Sequence, residues 1–153
     1  MQKLLDKYPP AREHLLEMLH DLQDHNPQHY LSDDALVAVA AYLGLTLSDV
    51  KGTASFYTMF SFTPRGRHVI RICASPPCQL LGATTIQAKL QEKLHVVVEE
   101  TTADGAFTLE TTSCLGVCGV APAMMIDDEV YGNLTPARIE TIIDKIRRED
   151  EAS

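Results

Sequence analysis

Apolar residues recur at helical spacing through the first part of the chain. Leu15, Leu19 and Leu22 fall on one face at a period of 3.6 residues, and Pro10 stands where a helix would begin. Polar and charged residues fill most of the positions between them. This segment is therefore predicted to form an amphipathic helix.

Two further helices are predicted from the residues that would begin and end them. Ser32 is suited to cap a helix whose first turn carries two aspartates and which stops at Gly44. Thr46, followed three residues later by Asp49, resembles a capping box and predicts a third helix that leads into an aromatic segment. We expect residues 1–62 to form a small helical bundle.

The pattern changes after residues 63–67, which contain Pro and Gly and are predicted to be a connector. The expected order beyond it is strand, helix, three strands and helix, in residues 68–73, 82–94, 95–101, 106–112, 123–127 and 135–149. Asp104-Gly105 is typical of a hairpin turn. Residues 68–153 are therefore predicted to form an α/β domain with a small mixed sheet. The fold class of the chain is α+β, and residues 149–153 are expected to be a solvated acidic tail.

The composition is typical of globular rather than disordered proteins. Of 153 residues, 45% are apolar and 22% are charged. The formal net charge is -8, and residues 1–62 and 63–153 each contribute -4. Because nucleic-acid binding depends on Lys and Arg that neutralise phosphates, this balance disfavours a nucleic-acid partner.

No segment has the pattern of a membrane span or of a secretory signal. The longest apolar runs, such as residues 35–45, are shorter than the ~20 residues that a membrane span needs. The N-terminal residues lack the apolar stretch and cleavage site of a secretory signal. We expect a soluble cytoplasmic protein with no direct membrane insertion.

Four cysteines, all in the second half of the chain, have the spacing C-x4-C-x35-C-x3-C: Cys73, Cys78, Cys114 and Cys118. The first cysteine of each pair ends a predicted strand, and the second follows on a loop. Two such loops can converge, and Gly116 and Gly119 allow the second loop to wrap closely around a ligand with its amides pointing inward. The pattern predicts one site with four thiolate ligands.

The spacing alone leaves the metal open between zinc and iron. Structural zinc sites commonly use C-x2-4-C pairs in tetrahedral geometry. A [2Fe-2S] cluster needs two thiolates on each of two irons, which spreads the sulfurs over a wider area. Inert buried cysteines or a disulfide pair are the alternatives without a metal. The absence of C-x-x-C disfavours a thioredoxin-type dithiol.

The cysteine pattern and residues 53–73 and 113–136 resemble the thioredoxin-like [2Fe-2S] ferredoxins. These are the small iron–sulfur subunits of respiratory complex I and of related NAD(P)-linked hydrogenases and formate dehydrogenases. The resemblance covers nearly the whole chain and implies a thioredoxin-like fold for the second domain. It also implies that one [2Fe-2S] cluster is held by four ligands, Cys73, Cys78, Cys114 and Cys118.

The same resemblance implies the partners of the chain. They would be a larger subunit that binds flavin and NAD(P), and further iron–sulfur subunits of the same complex. The chain itself has neither G-x-G-x-x-G nor G-x-x-x-x-G-K-[ST], so no nucleotide site is predicted in it. We therefore expect it to relay single electrons to or from a flavin, and not to be catalytic alone.

The first cysteine loop departs from the pattern of the family. Pro76 and Pro77 stand together, where the family more often has small hydroxyl residues or glycine with at most one proline. Proline has no N–H. The two prolines therefore remove donors that would otherwise hydrogen-bond to ligand sulfurs and raise the potential of a cluster. Stiffening of the loop is the alternative role for them.

Two other features are candidate sites by residue type. Pro27 lies between His25 and His29, so this i,i+4 pair is not expected to share a helical face or to bind a metal. Pro122, near Cys118, is in a position where thioredoxin-like folds have a cis proline, and the sequence does not decide its isomer.

A competing function is a zinc- or redox-responsive regulator, because three helices with short connections resemble a helix-turn-helix. The third helix, expected from Leu47 to Phe60, contains Lys51 as its only base, too little to anchor phosphates. Its aromatic residues and those beyond it are expected to pack in a core or to form a contact between the two regions, rather than to stack on bases or a cofactor: Phe56, Tyr57, Phe60 and Phe62.

Overall fold

The computed structural model describes residues 2–152 of the chain. It divides the chain into two compact units, with the boundary between Arg65 and Gly66. This boundary lies inside the segment 63–67 that was predicted to be a connector. The two units are described separately below.

The first unit is helical. Its elements are α1 (Gln2–Leu5), a 3-10 turn (Arg12–His14), α2 (Leu15–Asp24), α3 (Asp33–Leu43) and α4 (Leu47–Phe56). Helix α2 buries Leu15, Leu19 and Leu22, as its apolar spacing predicts. These leucines pack into one core with side chains of α3 and α4, among them Leu36 and Val50.

The predicted caps are confirmed. The Ser32 hydroxyl accepts a hydrogen bond from the N–H of Ala35 at 3.2 Å, and Gly44 ends α3 with φ of +65°. Thr46 and Asp49 form the capping box of α4, where the Thr46 hydroxyl accepts from the N–H of Asp49 at 3.1 Å. Local hydrogen bonding therefore determines where α3 and α4 begin.

The predicted length of α4 was wrong. The helix ends at Phe56 rather than Phe60, because Tyr57 takes extended backbone angles, φ -98° and ψ 118°. After this break Phe60 is buried in the helical core, with its ring 4.8 Å from that of His20. Burial of Phe60 thus accompanies an early end of the helix.

The second unit is built on a mixed sheet, as predicted, but the sheet has five strands where four were expected. The strands are β1 (His68–Cys73), β2 (Glu100–Thr101), β3 (Phe107–Thr112), β4 (Met124–Ile126) and β5 (Glu129–Tyr131), in the spatial order β2-β3-β1-β4-β5. Strands β1 and β3 pair in parallel, and the other neighbours are antiparallel. The helices are α5 (Pro76–Leu80), α6 (Ala83–Leu94) and α7 (Pro136–Glu151). Side chains of β1, β3, α6 and α7 share one core, for example Ile70, Leu109, Leu90 and Ile139.

Three parts of the second unit differ from the sequence prediction. The strand expected over 95–101 is reduced to Glu100–Thr101, since His95 and Glu99 have φ of +57° and +70°, outside the extended region. Helix α5 and strand β5 were not predicted. The Asp104-Gly105 turn is confirmed, with Gly105 at φ of +68° between the antiparallel β2 and β3.

The predicted acidic tail is exposed to solvent at Glu149 and Glu151, as expected, but it is ordered as the end of a helix; Ser153 lies outside the described residues. Helix α7 continues to Glu151, and the Asp150 carboxylate lies 2.9 Å from the guanidinium of Arg67 and 3.0 Å from the imidazole Nε2 of His68. These pairs join the last turn of α7 to the start of β1. Interactions distant in sequence therefore order the residues that appeared to be a tail.

Between residues 2 and 152, no single helix is both long and apolar enough to cross a membrane. Helices α3 and α4 reach the necessary length and composition only together, as a pair bent by 117°. Both helices bury apolar side chains in the core of the first unit, including Val39 and Ala54.

Candidate metal centre

The sheet brings the two cysteine loops to one edge. Cys73 is the last residue of β1, and its register partner on the parallel strand β3 is Thr112, the last residue of that strand. The loop after β1 leads to Cys78 in α5, and the loop after β3 leads to Cys114 and Cys118. Because the carboxyl ends of parallel strands lie together, both loops leave the sheet at neighbouring points.

The first pair of cysteines is buried. Cys73 and Cys78 are each 2% exposed and pack with Ala83 in a small apolar cluster. Leu115 and Ala121, which lie on either side of Cys118 in sequence, pack against the same cluster. The second loop therefore contacts the buried pair, as expected if the two loops converge.

The second pair is exposed. Cys114 and Cys118 are free thiols, and their Sγ atoms lie 3.9 Å apart. A tetrahedral metal with metal–sulfur bonds of about 2.3 Å holds two sulfurs at about 3.8 Å from each other. The separation of this pair therefore fits two ligands of one metal ion.

Backbone N–H groups surround the sulfurs. The N–H of Gly116, a residue with φ of +78°, donates to Cys114 Sγ at 3.4 Å. Such donors stabilise thiolate ligands and are a main means by which a protein adjusts a metal–sulfur site. A non-glycine residue would adopt this backbone conformation only with strain.

The thiols of the buried pair differ in pKa. Burial opposes ionisation of Cys73, but N–H groups of Ser75 and Leu115 donate to its sulfur and bring the pKa of Cys73 below its ordinary value. Burial, followed by the hydrogen bond with Cys73, raises the pKa of Cys78, although the N–H of Ala123 donates to that sulfur. Donors from both loops thus reach the buried sulfurs.

In the exposed pair, the hydrogen bond between the two sulfurs raises the pKa of Cys118. The charge of Cys114 raises the pKa of Cys118 further, because a second negative charge on a neighbouring sulfur is unfavourable. A bound cation would remove this repulsion, since it compensates the charge of both thiolates.

Helix α5 explains how two adjacent prolines fit between the first two cysteines. Ser75 is its N-cap, and Pro76 and Pro77 occupy its first positions. Amide N–H groups at those positions have no partner within a helix, so proline is tolerated there. Ser75 followed by proline is a helix-start signal, and it could have predicted α5 from the sequence.

The donor set fits a [2Fe-2S] cluster. Within residues 2–152, no group of three or more His, Cys, Asp or Glu side chains is arranged to hold a metal ion. A [2Fe-2S] cluster requires two thiolates at each of two irons. Two pairs of cysteines on converging loops, with N–H donors around them, match that requirement.

His25 and His29, the pair considered as a metal site in the sequence, each have local backbone contacts. His25 Nδ1 lies 2.7 Å from the backbone carbonyl oxygen of Asp21, and His29 is in a turn with φ of +47°. The expectation that they share no helical face agrees with the end of α2 at Asp24.

Near the cysteines, the Ala121–Pro122 peptide bond is cis, which settles the isomer that the sequence left open.

The aromatic residues divide between core and surface. Phe60 is buried and Tyr57 is half-buried against the helical core, as expected. Phe56 and Phe62 are 79% and 42% exposed, so these two side chains do not pack in the helical core. The early end of α4 removes Phe60 and Phe62 from the regular helical spacing on which the prediction depended, whereas Phe56 is the last residue of the helix.

Sequence reasoning missed a cluster around His68. Its Nδ1 lies 2.7 Å from Asp127 and its Nε2 lies 3.0 Å from Asp150, beside a cavity of about 490 Å³. Burial opposes protonation of His68, but the two carboxylates outweigh it and raise its pKa. The three residues are far apart in sequence, and no motif signals that they meet.

Comparison with known families and proteins gives one consistent result. Residues 1–147 match the model of a family described as thioredoxin-like [2Fe-2S] ferredoxin. The chain is 43% identical over 118 residues to the E subunit of the NADH-quinone oxidoreductase of Escherichia coli K12. The matched residues make up 77% of this chain and 71% of that protein. It is 37% identical over 150 residues to the protein of the same name from Rickettsia bellii, covering 97% and 89%.

Solved structures also resemble the chain. An NAD+-reducing [NiFe]-hydrogenase in the H2-reduced state matches 92% of this chain with a TM-score of 0.80 and 26% identity. The air-oxidised state matches 89% of the chain with a TM-score of 0.78 and 27% identity. The chain spans 23% of the length of that hydrogenase chain.

Proposed function

Because the chain belongs to the thioredoxin-like [2Fe-2S] ferredoxin family, we propose that it is an electron-transfer subunit of an NADH-linked oxidoreductase. A bound [2Fe-2S] cluster accepts and releases one electron at a time. The chain would hold one such cluster through four ligands, Cys73, Cys78, Cys114 and Cys118. In this role it binds the cluster and adjusts its environment, and the hydride step belongs to another subunit.

The observation that carries this proposal is the pairing of the cysteines at one sheet edge. The buried pair on one loop contacts Leu115 of the other loop, and the sulfurs of the exposed pair are spaced for one metal. The N–H of Gly116 donates to Cys114 Sγ at 3.4 Å, and the backbone N–H groups of Ser75 and Leu115 lower the pKa of Cys73. Each of these features supports a metal–sulfur site of four thiolates.

The relatives named above support a place in a multisubunit assembly. Among the possible members, we propose a subunit that binds flavin and NAD(P), together with further iron–sulfur subunits. The chain would exchange single electrons with that flavin. The cytoplasmic location expected from the sequence stays a prediction.

The positions of the cysteines suggest which of the two units binds the cluster. All four cysteines lie in the second unit, so we propose that residues 68–153 form the cluster-binding domain. The helical region 1–62 would then be a separate domain, with the connector 63–67 between them. Its helix α4 gives little support to a nucleic-acid-binding regulator, since Lys51 is paired with Asp33 at 2.6 Å.

Metal analysis of anaerobically prepared protein tests the cofactor. We expect two irons and two acid-labile sulfides per chain, because four thiolates satisfy one [2Fe-2S] cluster. Reduction with dithionite should produce the EPR signal of a half-integer spin. Stoichiometric zinc without iron in protein from its native source would contradict the proposal.

A second experiment tests the division of work between subunits. NADH alone should leave the visible bands of the isolated protein unchanged, since the chain has no nucleotide-binding motif. Addition of a flavin-containing partner should allow NADH to bleach them. Rapid bleaching by NADH in the isolated protein would show that the flavin partner is not needed.

A further inference from the structure

Cys114 and Cys118 form a pair of neighbouring thiols that solutes can reach. Both are free and exposed, and their Sγ atoms are 3.9 Å apart. Cys73 and Cys78 are also free, but each is only 2% exposed. The two halves of the site therefore differ in their access to an oxidant before a cluster binds.

The loop between the exposed thiols has room to bring them together. An S–S bond is about 2 Å long, so the sulfurs must approach each other to roughly half of their present separation. Apart from the chain neighbours of each glycine, no atom lies within 4 Å of the position where a Cβ would stand on Gly116, inside this loop, or on Gly119, which directly follows Cys118. The chain is thus uncrowded on both sides of Cys118, and disulfides are known across the still shorter C-x-x-C spacing.

We propose that in the cluster-free chain Cys114 and Cys118 form a reversible disulfide, while Cys73 and Cys78 stay reduced. The oxidant is a small disulfide such as oxidised glutathione. A thiolate of the pair attacks one glutathione sulfur, which forms a mixed disulfide and releases the first glutathione. The other thiolate attacks this mixed disulfide, which forms the Cys114–Cys118 bond and releases the second glutathione. The protein loses two electrons and two protons, and the oxidised glutathione gains them.

This disulfide would control cluster insertion, a consequence that rests on the proposed function. Thiolates are the ligands of iron–sulfur clusters, and the disulfide removes two of the four. The oxidised chain would bind no cluster until a thiol reductant reopens the bond. Cluster loading of this chain would then respond to the ratio of small thiols to small disulfides around it.

Trypsin separates the two pairs, which allows a direct test. Cleavage after Arg71 and Lys89 yields residues 72–89, which contain Cys73 and Cys78. Cleavage after Lys93 and Arg138 yields residues 94–138, which contain Cys114 and Cys118. The full chain without its cluster is incubated with oxidised glutathione, alkylated with iodoacetamide, digested and analysed by mass spectrometry.

We expect the peptide 94–138 to carry no alkyl group and to lack two hydrogens, and the peptide 72–89 to carry two alkyl groups. Dithiothreitol before alkylation should restore two groups on both peptides. Full alkylation of 94–138, a disulfide within 72–89 or a cross-link between the two peptides would each overturn the proposal. In the variant Cys118→Ser, Cys114 should retain one glutathione, because the second thiol is absent.

Iron and sulfide loading of the incubated chain, in portions taken before alkylation, tests the control of insertion. The oxidised chain should load to background level, and dithiothreitol should restore full loading. Equal loading with and without the reductant would overturn the control. If the disulfide forms but the reduced chain takes up no [2Fe-2S] cluster, the proposed function fails and the disulfide assignment stands.

Discussion

The two ends of strand β1 lie in different chemical environments. At its carboxyl end, Cys73 belongs to an apolar cluster with Cys78, and the sulfurs there receive backbone N–H groups. At its amino end, His68 lies between the carboxylates of Asp127 and Asp150, which link it to β4 and α7. One strand thus separates the candidate ligands from a polar cluster that holds the second unit together. Variants at the carboxyl end should change the binding of the [2Fe-2S] cluster. Variants at the amino end should change the free energy of unfolding.

The largest effect is expected for Cys78→Ser at the buried half of the site. An alcohol is a poorer ligand for iron than a thiolate, and Cys78 is 2% exposed, so a ligand from solvent does not readily take its place. We expect iron and sulfide contents to fall to background after anaerobic reconstitution. The matched variant Cys118→Ser, in the exposed loop, should retain part of its iron and lose it faster. Equal loss in both variants would show that burial does not distinguish the pairs.

The next largest effect is expected for Gly132→Ala. This variant tests whether packing near the carboxyl end of β1 contributes to the free energy of unfolding. A Cβ on Gly132 would lie 2.8 Å from the carbonyl oxygen of Val120, in the 3-10 turn that begins at Cys118. Gly132→Ala should therefore displace this turn and lower the free energy of unfolding by about 1–3 kcal/mol. Gly119→Ala is the control, since a Cβ there meets nothing within 4 Å. Denaturant unfolding of the two variants measures the difference.

A smaller effect is expected at Pro76 and Pro77. Replacement of either by Ala returns an N–H near the first two cysteines, which favours the more negative reduced cluster. The midpoint potential should rise by ~20 to 60 mV if the new hydrogen bond contributes about 0.5–1.5 kcal/mol to a one-electron couple. Leu80→Ala, an exposed change in the same helix, is the control. An unchanged potential with faster cluster loss on heating would leave stiffening as the role of the prolines.

The smallest effect concerns the amino end of β1. The carboxylates raise the pKa of His68 above that of the unfolded chain, so its stabilisation is complete below the unfolded pKa and is lost as pH rises through the folded pKa. We expect the free energy of unfolding to fall by a few tenths to about 1 kcal/mol between about pH 6 and 9, as for a partly exposed ion pair. His68→Gln should abolish this slope, measured by urea unfolding at several pH values.

A control on α7 separates the His68 cluster from general changes in charge. Asp144 pairs with Lys93 at 2.7 Å on the same helix that carries Asp150. Asp144→Asn should leave the slope unchanged, whereas Asp150→Asn should reduce it, because Asp150 contacts Nε2 of His68. A slope that both variants reduce alike would assign it to the net charge of α7.

The sequence predicted those features that depend on neighbouring residues. Ser32, Gly44 and the Thr46–Asp49 pair act through hydrogen bonds or backbone angles within a few positions, and each does so in the structure. The strand His68–Cys73 was predicted from its own β-branched residues and is observed with the same bounds. For the candidate site, the spacing of the four cysteines and their resemblance to the family were enough to predict the four ligands without knowledge of the sheet.

Features that depend on distant residues were missed. Asp150 is ordered by Arg67 and His68, more than eighty positions earlier, and local composition alone indicated a tail. The positions of Phe60 and Phe62 depend on the break of α4 at Tyr57, which helical periodicity does not determine. The contrast between the buried and exposed cysteine pairs depends on packing by Leu115 and Ala121, and spacing carries no information about it.

The parallel pairing of β1 with β3 also determines when the site can exist during folding. Thirty-five residues separate Cys78 from Cys114, and the strand contacts that bring their loops together join residues even farther apart in sequence, such as His68 and Phe107. Contacts of this sequence separation form later than those within a helix, because a long loop must be closed first. During synthesis, a nascent chain that has not yet reached β3 presents only the Cys73–Cys78 pair. Four-thiolate binding thus becomes available only after the central strand pairing is complete.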